Sequence, residues 1–161
     1  MARERVHRWD DPLRTAALAA EVDGLTFLKA MMAGDVPRAP IASTLGFTIV
    51  EAEKGRVVCE LDPAEFHFNP IGSVHGGVYA TVLDTATGCA VHSTLPAGTR
   101  YTSLDLSVKF LRALRAESGP VRCEGEVVHE GSRMALAEAR LWDNAGALCA
   151  TATSSCMIFR G

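Results

Sequence analysis

A single carboxylate, Asp84, stands inside the most apolar helical stretch of this chain. From Val78 to Val91 nearly every position is apolar or small: Val78, Tyr79, Ala80, Val82, Leu83, Ala86, Cys89, Ala90 and Val91. Apolar residues at Val78, Val82 and Ala86, with others around the remaining circumference, predict a buried helix rather than a surface one. An aspartate there is expensive to desolvate unless it is paired or used. It lies about two turns beyond Gly76, too deep to act as a cap. It therefore reads as a functional acid, a general base or a nucleophile.

Immediately before the helix runs Ser73-Val74-His75-Gly76-Gly77. Two glycines at a helix start leave backbone N–H groups open to close approach, because no side chain stands in the way. The positive end of the helix dipole suits a polarised carbonyl or an oxyanion. A lone Gly-Gly would read as a hinge; an acid following at helical spacing turns the reading towards a site. Gly76 and Asp84 are about 12 Å apart along the axis at roughly 1.5 Å per residue. One reacting carbon cannot touch both within one chain. If both act on the same atom, a second copy supplies one of them, and a two-fold interface then generates two equivalent sites.

The rest of the chain must hold this helix. At 161 residues it is one ordinary domain, with 48% hydrophobic residues and a formal net charge of −3. That composition argues against disorder and against a nucleic-acid partner, which would call for a basic stripe. The opening MARERVHRWDDPLR has charge but no apolar run behind it, and no stretch reaches the length of a membrane span. The expectation is a cytoplasmic protein without a membrane partner. Cys59, Cys89, Cys123, Cys149 and Cys156 are scattered without a C-x-x-C pair and read as reduced, small apolar residues. Cys89, with His92 three residues on, is a nucleophile only if burial does not raise its pKa.

Asp10-Asp11-Pro12 predicts a cap and a helix towards Gly24, followed by a short amphipathic segment with Phe27, Leu28, Met31 and Met32 that ends at Gly34. The methionines read as packing that can also border an acyl pocket. Pro37 and Pro40 predict an extended linker. Residues 1–40 are thus an N-terminal helical extension and linker, and 41–161 the main domain. Strands are expected over Phe47 to Glu51, Arg56 to Leu61, Tyr101 to Leu111, Val121 to His129, Met134 to Trp142 and Leu148 to Phe159. In the third, Leu104, Leu106, Val108 and Phe110 alternate with Ser103, Asp105, Ser107 and Lys109. Hairpin connections without helical crossovers favour an antiparallel sheet. The expected fold is α+β: five or six antiparallel strands wrapped around one long central helix.

The stretch from His67 to Ala90, HFNPIGSVHGGVYATVLDTATGCA, resembles the hotdog-fold acyl-CoA thioesterases, specifically their PaaI-type, phenylacetate-degradation branch. The pattern is an Asn, then His-Gly-Gly, then an acid nine residues past the His; here these are Asn69, His75-Gly76-Gly77 and Asp84. The likeness extends from about Gly24 to Phe159. It implies the hotdog fold and hydrolysis of an aryl- or medium-chain acyl-CoA. The acid would come from one subunit and the Gly76 amide from its partner, in a homodimer assembling to a homotetramer. Coenzyme A enters as part of the substrate, and no metal or further cofactor is expected.

The resemblance also implies that Asn69 contacts the thioester carbonyl or the water, although Asn69-Pro70-Ile71-Gly72 reads equally well as an Asx turn. It places a Ser or Thr on the strand after the helix. Ser103 is favoured over Thr102, and a slip of one residue would turn the other to the site. Gly77 would join Gly76 at the substrate, and His75 would hold the glycine loop rather than exchange protons. Arg112, Arg115 and Arg133, at expected strand ends, could meet coenzyme A phosphates or be solvated surface charge. Two other readings stay open: a non-catalytic acyl-CoA binding protein, and a hotdog enoyl-thioester hydratase using His75 as its proton carrier.

Overall fold

The computed structural model describes residues 2–160 of the chain. Its axis is helix α4, Gly76–His92, in which Val78, Val82, Leu83, Ala86, Ala90 and Val91 are all buried. Thr81, Thr85 and Thr87 turn their hydroxyls back onto the carbonyls of Gly77, Thr81 and Leu83, at 2.8, 2.8 and 3.1 Å. The buried Thr87 hydroxyl is thereby satisfied inside an apolar surrounding, as burial requires, whereas Thr81 and Thr85 lie on the more open side of the helix.

An antiparallel sheet wraps the helix. Its strands are β1 (Phe47–Glu53), β2 (Arg56–Leu61), β3 (Arg100–Ser103), β4 (Ser107–Phe110), β5 (Val121–Glu130), β6 (Met134–Trp142) and β7 (Leu148–Phe159). The order across the sheet is β1-β2-β5-β6-β7-β3, and β4 also lies along β7. Seven strands therefore occupy six positions. The run from Tyr101 to Leu111 is expected as one strand, and Asp105 is the reason it divides. Its Oδ1 accepts from Ser155 N at 3.0 Å and its carbonyl accepts from Ser154 Oγ at 2.8 Å. The carboxylate takes a ladder position that a backbone carbonyl would otherwise fill. The period-two pattern survives the break only in part: Leu106 and Val108 pack on the core, whereas Leu104 and Phe110 are exposed.

The sheet presses closely on α4. A Cβ added at Gly125 of β5 would lie 2.2 Å from the Ala86 carbonyl oxygen, closer than any atom pair tolerates. Both sides are backbone, so helix and strand would have to separate. Gly125→Ala is expected to destabilise the fold by about 3 kcal/mol, at the upper end of overpacking effects. The midpoint of urea unfolding measures it.

Three helices precede the sheet: α1 (Pro12–Glu21), α2 (Gly24–Ala33) and α3 (Pro40–Leu45). α1 buries none of its residues. By contrast α2 belongs to the core: Phe27 and Leu28 are buried, and Gly24 N donates to Leu95 O at 3.0 Å. Gly34 ends α2 with a φ of 87°. The extended linker expected at Pro37 and Pro40 is only half of what forms, because Pro40 opens α3 as its first residue. Proline's fixed φ and missing N–H suit that position. The arm before α1 reaches back to this helix. Arg5 Nη1 donates to Thr44 O at 2.6 Å, and its guanidinium lies 3.6 Å from the centre of the Phe66 ring.

Candidate active site

Asp84 projects from the middle of α4, half-buried, and its Oδ1 accepts from Ser103 Oγ at 3.1 Å. Ser103 ends β3, opposite Cys156 of β7. Period-two alternation sends the neighbouring Thr102 to the other face of the sheet, where its hydroxyl lies 3.5 Å from the Ser103 carbonyl. Of the two candidates, Ser103 meets the acid.

At the other end of the helix, His75 is the N-cap, and its Nδ1 accepts from Gly77 N at 2.8 Å. In the neutral ring the proton therefore sits on Nε2. His75 thus caps the glycine turn and in doing so occupies the Gly77 amide. The Gly76 N–H has no hydrogen-bond partner among the described residues. Only one of the two glycines thus presents an open donor. A Cβ at Gly76 would sit 3.1 Å from Phe110 Cζ, so the bare backbone lies directly under an aromatic ring.

Asn69 is largely engaged in its own loop. Its Oδ1 accepts from Ile71 N at 3.0 Å and Ser73 N at 3.2 Å, and its Nδ2 donates to Ser73 Oγ at 3.0 Å. This is the Asx turn, and it shapes the approach to the glycines. One Nδ2 hydrogen remains for a ligand.

Arg112, Arg115 and Arg133 are all exposed, and they do not gather. Arg112 N donates to Cys149 O, at the start of β7, whereas Arg133 O accepts from Ile158 N, at its end. Those anchors lie nine residue steps apart along β7, about 30 Å at roughly 3.3 Å per residue. Arg112 belongs to the Gly76 end of the molecule, and Arg133 to the end where Ser103 and Asp84 meet. Arg115 begins the 3₁₀ turn over Ala116–Ser118.

Two residues near the glycine turn were not among those expected. Tyr79 donates from its hydroxyl to Arg112 O at 3.0 Å and accepts from Leu114 N at 2.6 Å. It thereby ties the segment after β4 to the helix start, and it meets Phe110 edge-on at 5.6 Å. A tyrosine in an otherwise aliphatic buried helix needs a partner for its hydroxyl, and that was the available signal. Phe110 carried none, because its exposure reflects the break in its strand.

The remaining candidates for chemistry fall away. Cys89 is pushed up to about 12, first by burial and then by the charge of Asp84, so it remains a thiol. His67 is buried, accepts from Ala64 N at 3.0 Å and lies 2.7 Å from Leu45 O. Among the described residues no group of three or more His, Cys, Asp or Glu side chains could hold a metal ion. None of the described helices is long and apolar enough to cross a membrane.

Burial lowers the pKa of His67, and likewise that of His92. Both bind a proton less readily folded than unfolded. Their contribution to stability is therefore complete above the unfolded value of about 6.5 and is lost as pH falls through the depressed folded values. The urea midpoint is expected to be lower at pH 5 than at pH 7, and His67→Gln should narrow that difference.

An antiparallel sheet wrapped around one long central helix, with further helices before it, is the hotdog fold. The Thioesterase superfamily model matches residues 71–150, which contain the glycine turn, Asp84 and Ser103. Human acyl-coenzyme A thioesterase 13 is 30% identical over 98 residues, covering 61% of this chain and 69% of that protein. A Halobacterium salinarum protein that carries the name of an esterase is 35% identical over 103 residues, covering 61% of this chain and 66% of its own. Among solved structures, a phenylacetic acid degradation-related protein of Ralstonia eutropha JMP134, assigned as a thioesterase, superposes with a TM-score of 0.74. It is 30% identical and covers 81% of this chain and 98% of that one. This chain belongs to the thioesterase superfamily, a family of thioester hydrolases, and the resemblance read from residues 67 to 90 is borne out.

Proposed function

We propose that the protein hydrolyses acyl-CoA thioesters at a site shared between two copies of the chain. The carrying observation is the pairing of Asp84 with Ser103 at one end of the sheet edge, while the open Gly76 N–H lies at the other. Asp84 takes the proton of the attacking water, or itself attacks the carbonyl, and Ser103 fixes the carboxylate. The Gly76 amide receives the developing oxyanion. His75 Nδ1 is engaged by the Gly77 amide, so a hydratase reading would have to move its proton through Nε2 alone.

The exposed edge formed by β3 and β4 supports a two-fold partner. It carries Ser103 near one end and Phe110, the cover of Gly76, at the other. An antiparallel copy paired about a point between Leu106 and Ser107 sets Ser103 of one chain opposite Phe110 of its twin. That pairing closes the edge and brings each acid to the opposite glycine turn. It also brings the Arg112 end of one copy to the Arg133 end of the other, so the two arginines could serve one coenzyme A. A homotetramer of such dimers and a cytoplasmic setting complete the reading.

A panel of acetyl-, octanoyl-, benzoyl- and phenylacetyl-CoA, followed by free-thiol release, tests the activity. Turnover of at least one supports it, and binding without thiol release across the panel leaves an acyl-CoA binding protein instead.

A further inference from the structure

Tyr101 is the second residue of β3, two positions before Ser103. Strand alternation puts both side chains on one face, and the bond from Ser103 to Asp84 shows that this face looks onto α4. The Tyr101 ring packs against the buried cluster that includes Val91, Leu95 and Ile158, and its centre lies 5.4 Å from that of the His92 ring. The hydroxyl comes to rest over Gly88: a Cβ there would lie 3.3 Å from Oη and 3.4 Å from Cε2. Burial pushes the pKa of this phenol well up, so it keeps its proton. Yet no described residue accepts that proton in a hydrogen bond, although no sealed side-chain nitrogen or oxygen among the described residues lacks a partner. The hydroxyl therefore touches space that solvent can enter. A tyrosine this enclosed normally finds a partner within the protein, as Tyr79 does from the helix itself.

Asp84 offers the matching acceptor. Its Oδ1 is taken by Ser103, and its Oδ2 has no partner among the described residues. Asp84 and Gly88 are four residues apart on α4, so they share a face, with side-chain origins about 5–6 Å apart. That is about twice an O–H···O bond of roughly 2.8 Å, the span that one bridging water covers. We propose that Tyr101 holds the attacking water against Asp84: its hydroxyl donates to the water, and the water donates to Oδ2. The proposal rests on the acyl-CoA thioesterase reading above, with Asp84 as the base. The water oxygen bonds to the acyl carbon while its proton passes to Oδ2. The C–S bond then breaks, and the sulfur leaves with that proton. Ser103 fixes the carboxylate, and Tyr101 fixes the molecule on which the carboxylate acts. Gly88 makes the arrangement possible, because a side chain there would crowd the hydroxyl.

Tyr101→Phe keeps the ring and its packing and removes only the donor. It should lower kcat for acyl-CoA hydrolysis about tenfold, the worth of one hydrogen bond, with KM and melting temperature unchanged. Gly88→Ala approaches the same placement from the helix: its Cβ crowds Oη and should also lower kcat several-fold. Combined with Tyr101→Phe it should add little, because the group it displaces has gone. Crystal structures supply a readout independent of turnover. The native protein should hold a water within about 3.2 Å of both Tyr101 Oη and Asp84 Oδ2, and Tyr101→Phe should lose it. A native protein that releases thiol from no acyl-CoA sinks the activity reading. Hydrolysis with full kcat in Tyr101→Phe, or a Tyr101 hydroxyl bonded to the partner chain with no water between it and Asp84, overturns the positioning role alone. Tyr101→Phe and the native crystal structure keep the test decisive if Gly88→Ala does not fold.

Discussion

Asp84→Asn is expected to lower kcat for acyl-CoA hydrolysis by about a thousandfold, within the range that removal of a general base produces. Asparagine has the same shape, and its Oδ1 can still accept the Ser103 hydroxyl, so neither packing nor melting temperature should change appreciably. What it lacks is basicity and nucleophilicity. Thiol-release assays with a parallel thermal melt separate the two effects, and retention of a tenth or more of native turnover would remove Asp84 from the mechanism. Ser103→Ala leaves the carboxylate in place but unfixed. Loss of one hydrogen bond to a charged group corresponds to a reduction of about tenfold. Single turnover in ¹⁸O-water tests for the nucleophilic role of Asp84. Label found in its carboxylate marks a mixed anhydride opened at the aspartyl carbonyl, whereas label confined to the released acid restricts water attack to the acyl carbon.

The buried helix and its acid were legible because they violate composition: one charge among apolar residues is a local signal that needs no tertiary context. Strand bounds from Arg56 to Leu61 and from Met134 to Phe159 were equally plain, since alternation and turn residues agree there. The division of the strand after Tyr101 was not legible. It depends on Asp105 reaching Ser155, a contact between residues far apart in sequence, and nothing local distinguishes that aspartate from one pointing to solvent. For the same reason the competition for the glycine amides was hidden. His75 stands two residues before Gly77 in either reading, and only the ring's position on the cap shows which N–H it consumes. A cavity lined by both Met31 and Cys89 joins elements distant in sequence, and no periodicity within either helix encodes that meeting.

Gly76→Pro combined with Asp84→Asn in one mixed dimer should recover activity that neither variant has alone. Proline removes the N–H, and its ring suits the first position of a helix. His75 already has φ −65° and ψ 138°, the backbone that a residue before proline requires. The nearest obstacle is the exposed Phe110 ring, a side chain free to swing away. Loss of the amide donor alone should cost a hundredfold or more, about the effect of deleting one oxyanion contact. In a dimer pairing the two variants, crossed sites would place both lesions at one centre and leave the other with an intact acid and an intact amide. Such a heterodimer should show about half the native turnover per dimer, as two-fold symmetry dictates. Sites contained within single chains would each carry one lesion, and the mixture would stay inactive. Differently tagged chains, co-expressed and purified as the mixed species, give the answer directly. Recovery would mean that the 12 Å or so between Gly76 and Asp84 along one helix is bridged by the second copy.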